Sequence, residues 1–136
     1  MASFSIIINA SLDVVWKHLY YKIEHPEAFV PGVSEVIILE KNHDFVVRQM
    51  TITMNAIASN VVEKITATPY HVRFELLEHP KFNGYVANEA VFISENETQL
   101  TYTMHWMDKQ TQIAFENPEI MKNAVLKTKD YIENKL

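Results

Sequence analysis

The chain has 136 residues, 48% of them apolar and 21% charged, with a formal net charge of −5. That length suits one domain with a real core, and the balance is that of a globular chain rather than a disordered one. The lack of any Cys excludes a disulfide framework, a thiolate nucleophile and a Cys-based metal site, and it fits a reducing compartment.

Met1 to Asn9 carries no basic residue, and its apolar run is only Ile6-Ile7-Ile8. No signal peptide or membrane insertion is expected, and the expected location is cytoplasmic. Ser3 to Asn9 reads as a strand because β-branched residues dominate it. A helix comes next, with Ser11 as N-cap and Asp13 at the positive end of its dipole. Leu12, Val15, Trp16, Leu19, Tyr20 and Ile23 fall on one face at helical spacing. Pro26 ends this helix or opens a second short one through Phe29, and Pro31-Gly32 is a turn.

From Val33 to Met107 the pattern is β, with breaks at Asn42-His43-Asp44, Asn55 to Ser59, Pro69-Tyr70, Pro80 to Gly84 and Ser94 to Glu97. In the last strand Leu100, Tyr102, Met104 and Trp106 alternate with Gln99, Thr101, Thr103 and His105, one face buried and one wet. Asn117 then caps a final helix, Pro118 fits its first position, and Met121, Ala124, Val125, Thr128, Tyr131 and Ile132 form its apolar face. From Pro118 to Leu136 it would span roughly 28 Å. No repeat or linker interrupts residues 1–136, so a single domain is expected. A meander this long must curl, and its concave face needs the last helix as a cover.

This order of elements, with Ile23-Glu24-His25-Pro26-Glu27-Ala28-Phe29-Val30-Pro31-Gly32-Val33 after the first helix, resembles the START/Bet v 1/polyketide-cyclase superfamily over essentially the whole chain. The resemblance implies an α+β helix-grip fold: a curved antiparallel sheet of about seven strands wrapped around a long C-terminal helix, with two short helices after the first strand. It also implies a hydrophobic cavity. The superfamily contains lipid carriers, hormone receptors, cyclases, oxygenase domains and chaperone activators, so the fold alone does not choose among them. The glycine-rich loop of the plant members is replaced by Lys41-Asn42-His43-Asp44, and no catalytic motif of the superfamily matches.

Which residues face the cavity can be worked out by hairpin arithmetic. Two- or four-residue connections make paired positions sum to odd numbers. Starting from Leu100, Tyr102, Met104 and Trp106, the rule selects Tyr85, Ala87, Glu89, Val91 and Ile93, then Val72, Phe74 and Leu76. It goes on to Val61, Glu63, Ile65 and Ala67, and finally to Val46, Arg48, Met50, Ile52 and Met54. A bulge would break the rule. From this face Arg48, Met50, Ile52, Met54, Glu63, Phe74, Leu76, Tyr85, Glu89, Tyr102, Met104 and Trp106, with Met121 and Val125 of the last helix, are the expected ligand-binding residues. Arg48, Glu63 and Glu89 interrupt this apolar face, with Met50 placed opposite Glu63 and Arg48 on the diagonal. They are read either as structural ion pairs or strand-edge charges, or as groups that bind a ligand's polar end or move protons.

The scattered Lys and Arg form no basic stripe, so no nucleic-acid partner is expected. The six histidines show no metal-binding spacing and are expected in ordinary surface positions; no metal or cofactor is expected. The leading expectation is a binder or carrier of a small hydrophobic or amphipathic molecule. The alternative is a cyclase-, dehydratase- or isomerase-type enzyme with Glu63 or Glu89 as base and Tyr102 or Arg48 steadying an oxyanion. A third reading is an interaction module with a filled cavity. The residues leave the oligomeric state open.

Overall fold

A computed structural model describes residues 2–136. Strand β1 (Ala2–Ile8) leads into α1 (Leu12–Glu24), whose first turn is capped by the Ser11 hydroxyl accepting the Val14 amide at 3.3 Å. Helix α1 is succeeded by the second short helix expected, a single 3-10 turn at Pro26–Ala28 with Phe29 as its C-cap. Pro26 removes an amide donor and blocks continuation of the α-helix. Six strands come next: β2 (Val33–Lys41), β3 (Val46–Met54), β4 (Ile57–Thr68), β5 (His71–Glu78), β6 (Phe82–Ser94) and β7 (Glu97–Asp108). The chain closes with α2 (Pro118–Glu133).

All seven strands form one antiparallel sheet in the order β1-β7-β6-β5-β4-β3-β2, so the chain is a meander whose first strand returns beside its last. The fold is the helix-grip α+β architecture. The break expected at Asn55 to Ser59 is shorter than the composition suggested. Only Asn55 and Ala56 leave the strand, both at positive φ (52° and 65°), as a two-residue hairpin requires.

Helix α2 is about 24 Å long at 1.5 Å per residue. It packs chiefly against β1 and β7 at one side of the sheet. Met121, Ala124, Val125, Thr128 and Ile132 are buried there. The sheet and helix are also stitched by a polar relay. Thr128 Oγ1 donates to the Ala124 carbonyl at 2.9 Å, so the Tyr102 hydroxyl, 2.8 Å away, donates to Thr128. Because α2 keeps to the β1–β7 side, the concave face of β3, β4 and β5 is not filled by it. The cavity lies there. Among the described residues, no helix is long and apolar enough to cross a membrane.

Candidate functional site

The cavity measures about 360 Å³, near the low end of the roughly 300–1,000 Å³ usual for small-molecule sites. Its outer rim is formed by exposed Pro31, Gly32, Thr53, Asn55 and Asn123. Gly32 is required at that rim. It sits at φ 82°, and a Cβ there would run into the Thr53 carbonyl, whose own amide donates to Gly32 O at 2.8 Å. The inner end is lined by buried Lys22, Arg48, Glu63, Phe74 and Tyr102.

The expected ligand-binding residues divide by strand. Met50, Ile52 and Met54 from β3, Phe74 from β5, Tyr102, Met104 and Trp106 from β7, and Met121 from α2 all line the cavity, with Arg48 and Glu63. Leu76 and Val125 are buried but belong to the packed core rather than the lining. Tyr85 and Glu89 require correction. Strand β6 pairs Val86 with Met104 and Asn88 with Tyr102, so even positions of β6 share the concave face. A bulge between Phe92 and Ser94 inserts the extra residue that flips the parity. Glu89 is exposed on the convex face, and Tyr85 stacks there on His105 at 4.5 Å under the Arg73 guanidinium. Neither reaches the cavity, so Glu89 is not a candidate base.

Arg48 and Glu63 stand directly opposite each other, while Met50 pairs with Val61; the diagonal placement of Arg48 is thereby corrected. Arg48 Nη2 donates to Glu63 Oε1 at 2.6 Å, with 3% and 5% of the two side chains exposed. Arg48 Nη1 donates to the Ile23 carbonyl at 2.8 Å and to the Lys22 carbonyl at 3.5 Å. A single guanidinium therefore satisfies a buried carboxylate and the Ile23 carbonyl in the last turn of α1, while the Lys22 carbonyl also accepts the His25 amide at 3.2 Å. Glu63 is engaged by a cation, which is a poor arrangement for a base. Tyr102 is committed to Thr128, and its burial pushes the phenol well above its ordinary pKa. The Asn117 side chain, expected as a cap, makes no capping bond and lines the cavity instead.

The group that sequence reasoning missed is Lys22. It is 4% exposed and its Nζ donates to Asn88 Oδ1 at 2.6 Å. It lies 4.1 Å from the Tyr102 ring centroid and 4.9 Å from that of Phe74. Among the described residues it makes no ion pair. The two rings favour the ammonium, a contact worth about 2 kcal/mol or more when desolvated. Burial opposes them, and the nearby Arg48 charge adds to that opposition, partly offset by Glu63; the amine is pushed down to about 7 from 10.5. A signal existed. Lys22 continues the Val15, Leu19 spacing by four and then three residues, and so lies on the apolar stripe beside Ile23.

His79 also departs from the expected surface position. It is buried, and its Nδ1 accepts the Lys81 and Phe82 amides at 3.0 Å each, which puts the ring proton on Nε2. It packs at the edge of Trp106 and serves the turn into β6. Among the described residues, no three His, Asp or Glu side chains cluster as metal ligands.

The fold recurs in proteins with little sequence in common. An aromatase/cyclase, Zhui, from Streptomyces sp. R1128 is similar over 98% of this chain and 91% of its own, with 14% identity and a TM-score of 0.79. A START superfamily protein from Mycobacterium smegmatis is similar over 99% of this chain and 98% of its own, with 12% identity and a TM-score of 0.77. Ara h 8.0201 is similar over 97% of each chain, with 13% identity and a TM-score of 0.66. No curated protein matches the chain in sequence. The family model described as acetylaranotin biosynthesis cluster protein L, AtaL, matches residues 11–134, and with the START/Bet v 1-like architecture around it the chain belongs to the AtaL family.

Proposed function

We propose that the chain binds a compact, largely apolar molecule carrying oxygen acceptors, held in the cavity with its polar end against Lys22 and Arg48. The observation that carries this reading is the mismatch between the two ends of the cavity. Its walls are Met, Ile, Phe and Trp side chains, yet its inner end is lined by the buried basic side chains of Lys22 and Arg48. A basic side chain held in an apolar enclosure is costly unless hydrogen-bond acceptors meet it. Carbonyl or phenolic oxygens on a ring system would do so, as a plain hydrocarbon chain would not.

The test is a titration of the Trp16→Phe protein, in which Trp106 is the remaining tryptophan. Polyketide-like phenols and ketones should change its fluorescence, with native mass spectrometry reporting the stoichiometry. A flat signal from every compound would sink the binding reading and favour an interaction module.

The second reading, a cyclase-, dehydratase- or isomerase-type enzyme acting on a polyketide-like substrate, is favoured by the AtaL family membership and by a buried lysine poised near neutrality. Lys22 replaces Glu63 and Glu89 as the proton-transfer candidate in that reading.

A further inference from the structure

Among the described residues, Lys22 is the one basic or acidic group at the inner end of the cavity that makes no ion pair. Arg48 has Glu63 at 2.6 Å, whereas Lys22 has the neutral amide of Asn88 and the faces of Tyr102 and Phe74. A second cation in that enclosure, next to a guanidinium already matched to its carboxylate, is relieved most simply by losing its proton. The resulting amine gives one N–H to Asn88 Oδ1 and leaves its lone pair uncommitted. It also lines the cavity, so a bound molecule meets it. A lysine held this way is suited to nucleophilic attack.

We infer that Lys22 is a nucleophilic amine that condenses with a ketone or aldehyde carbon of the molecule held in the cavity. The inference rests on the binding reading above and names the functional group that the ligand presents. The Nζ lone pair forms a C–N bond to the carbonyl carbon, and the first amine proton passes to the oxygen. The carbinolamine then loses its hydroxyl with the second amine proton as water, leaving a C=N bond. No oxidant or reductant is involved. With a β-diketone the product rearranges to a conjugated enaminone that persists and absorbs in the near ultraviolet. The charged and titratable groups around Lys22 are Arg48 on β3, Glu63 on β4 and Tyr102 on β7, and Asn88 on β6 is neutral.

The experiment incubates the full chain with benzoylacetone and, in parallel, with butylbenzene, which has a similar body and no carbonyl. The expected result is one saturable adduct of diketone less one water, mapped to Lys22 by peptide digestion and suppressed by butylbenzene. Its rate should rise with pH through about 7 and level off above. Lys22→Met should bind butylbenzene and form no adduct. Asn88→Asp puts a carboxylate on the amine, favours the ammonium, and should slow labelling at pH 7 about tenfold or more. If benzoylacetone changes the Trp106 fluorescence of the Trp16→Phe protein while Lys22 stays unmodified, or surface lysines react as fast, the inference is overturned and the binding reading stands. If neither compound binds or reacts, both are overturned.

Discussion

Arg48 faces Glu63 across β3 and β4 at 2.6 Å, and its other nitrogen holds the Ile23 carbonyl at 2.8 Å. The pair is buried, so removing one partner strands the other. Arg48→Met and Glu63→Gln should each cost about 3–5 kcal/mol in urea unfolding, and the double variant less than their sum. Arg48→Met should be the worse, because it also frees the Ile23 carbonyl at the end of α1. Additive losses would show that the two side chains do not interact.

Lys22 should set the slope of stability against pH. Its pKa falls from 10.5 in the unfolded chain to about 7 in the folded one, so between those values the unfolded state binds the extra proton. Stability therefore rises with pH across that window. Urea midpoints should climb from pH 7 to pH 9, where Tyr102 is protonated in both states, and Lys22→Met should flatten the climb. A native profile already flat would mean that the buried group keeps its charge.

The exposed position of Glu89 makes a contrasting expectation. Glu89→Ala should change stability by no more than about 0.5 kcal/mol and leave the cavity's binding of benzoylacetone unaltered. A loss near that of Glu63→Gln would return it to the concave face and contradict the register of β6.

That register shows how far the residues alone could be read. The alternation of Leu100, Tyr102, Met104 and Trp106 is strong, and the odd-sum rule holds from β3 to β4 and from β4 to β5. It fails at β6 on both sides. Val86 pairs with Met104 and Phe74 pairs with Val86, each an even sum. The two failures cancel, so β3, β4 and β5 were placed on the right face while Tyr85 and Glu89 were not. A bulge is a backbone event with little local composition to announce it. Lys22 escaped for a different reason. A lysine in an amphipathic helix is usually solvated, and its burial depends on Asn88, which the misread strand had turned outward. The helix-grip fold survives such errors because it depends on element order and the two amphipathic helices.

Helix α2 is the cover over the β1–β7 side of the core, contributing Met121, Ala124, Val125 and Ile132 to it. Deleting residues 117–136 should leave a chain without cooperative unfolding or near-ultraviolet dichroism that binds apolar dyes non-specifically. A truncated chain that unfolds in one sharp transition would show that the sheet holds itself together.

Filling the cavity should abolish binding without unfolding the protein, and Met104 is the place to do it. Its side chain is 2% exposed and lines the cavity next to Trp106, opposite Val86 of β6. A larger ring at this position has open space on one side, so Met104→Trp should cost only about 1–3 kcal/mol of overpacking strain. The same ring takes volume from a cavity of about 360 Å³, which is already near the minimum for a small molecule. Benzoylacetone binding and the Lys22 adduct should disappear together, while the urea transition stays cooperative. Lys122→Ala, on an exposed position of α2, should leave both intact. Labelling of Lys22 that persists in Met104→Trp would mean that the diketone reaches the amine by some other route than the Met-lined cavity, since apolar burial there is what holds the compound against the inner wall.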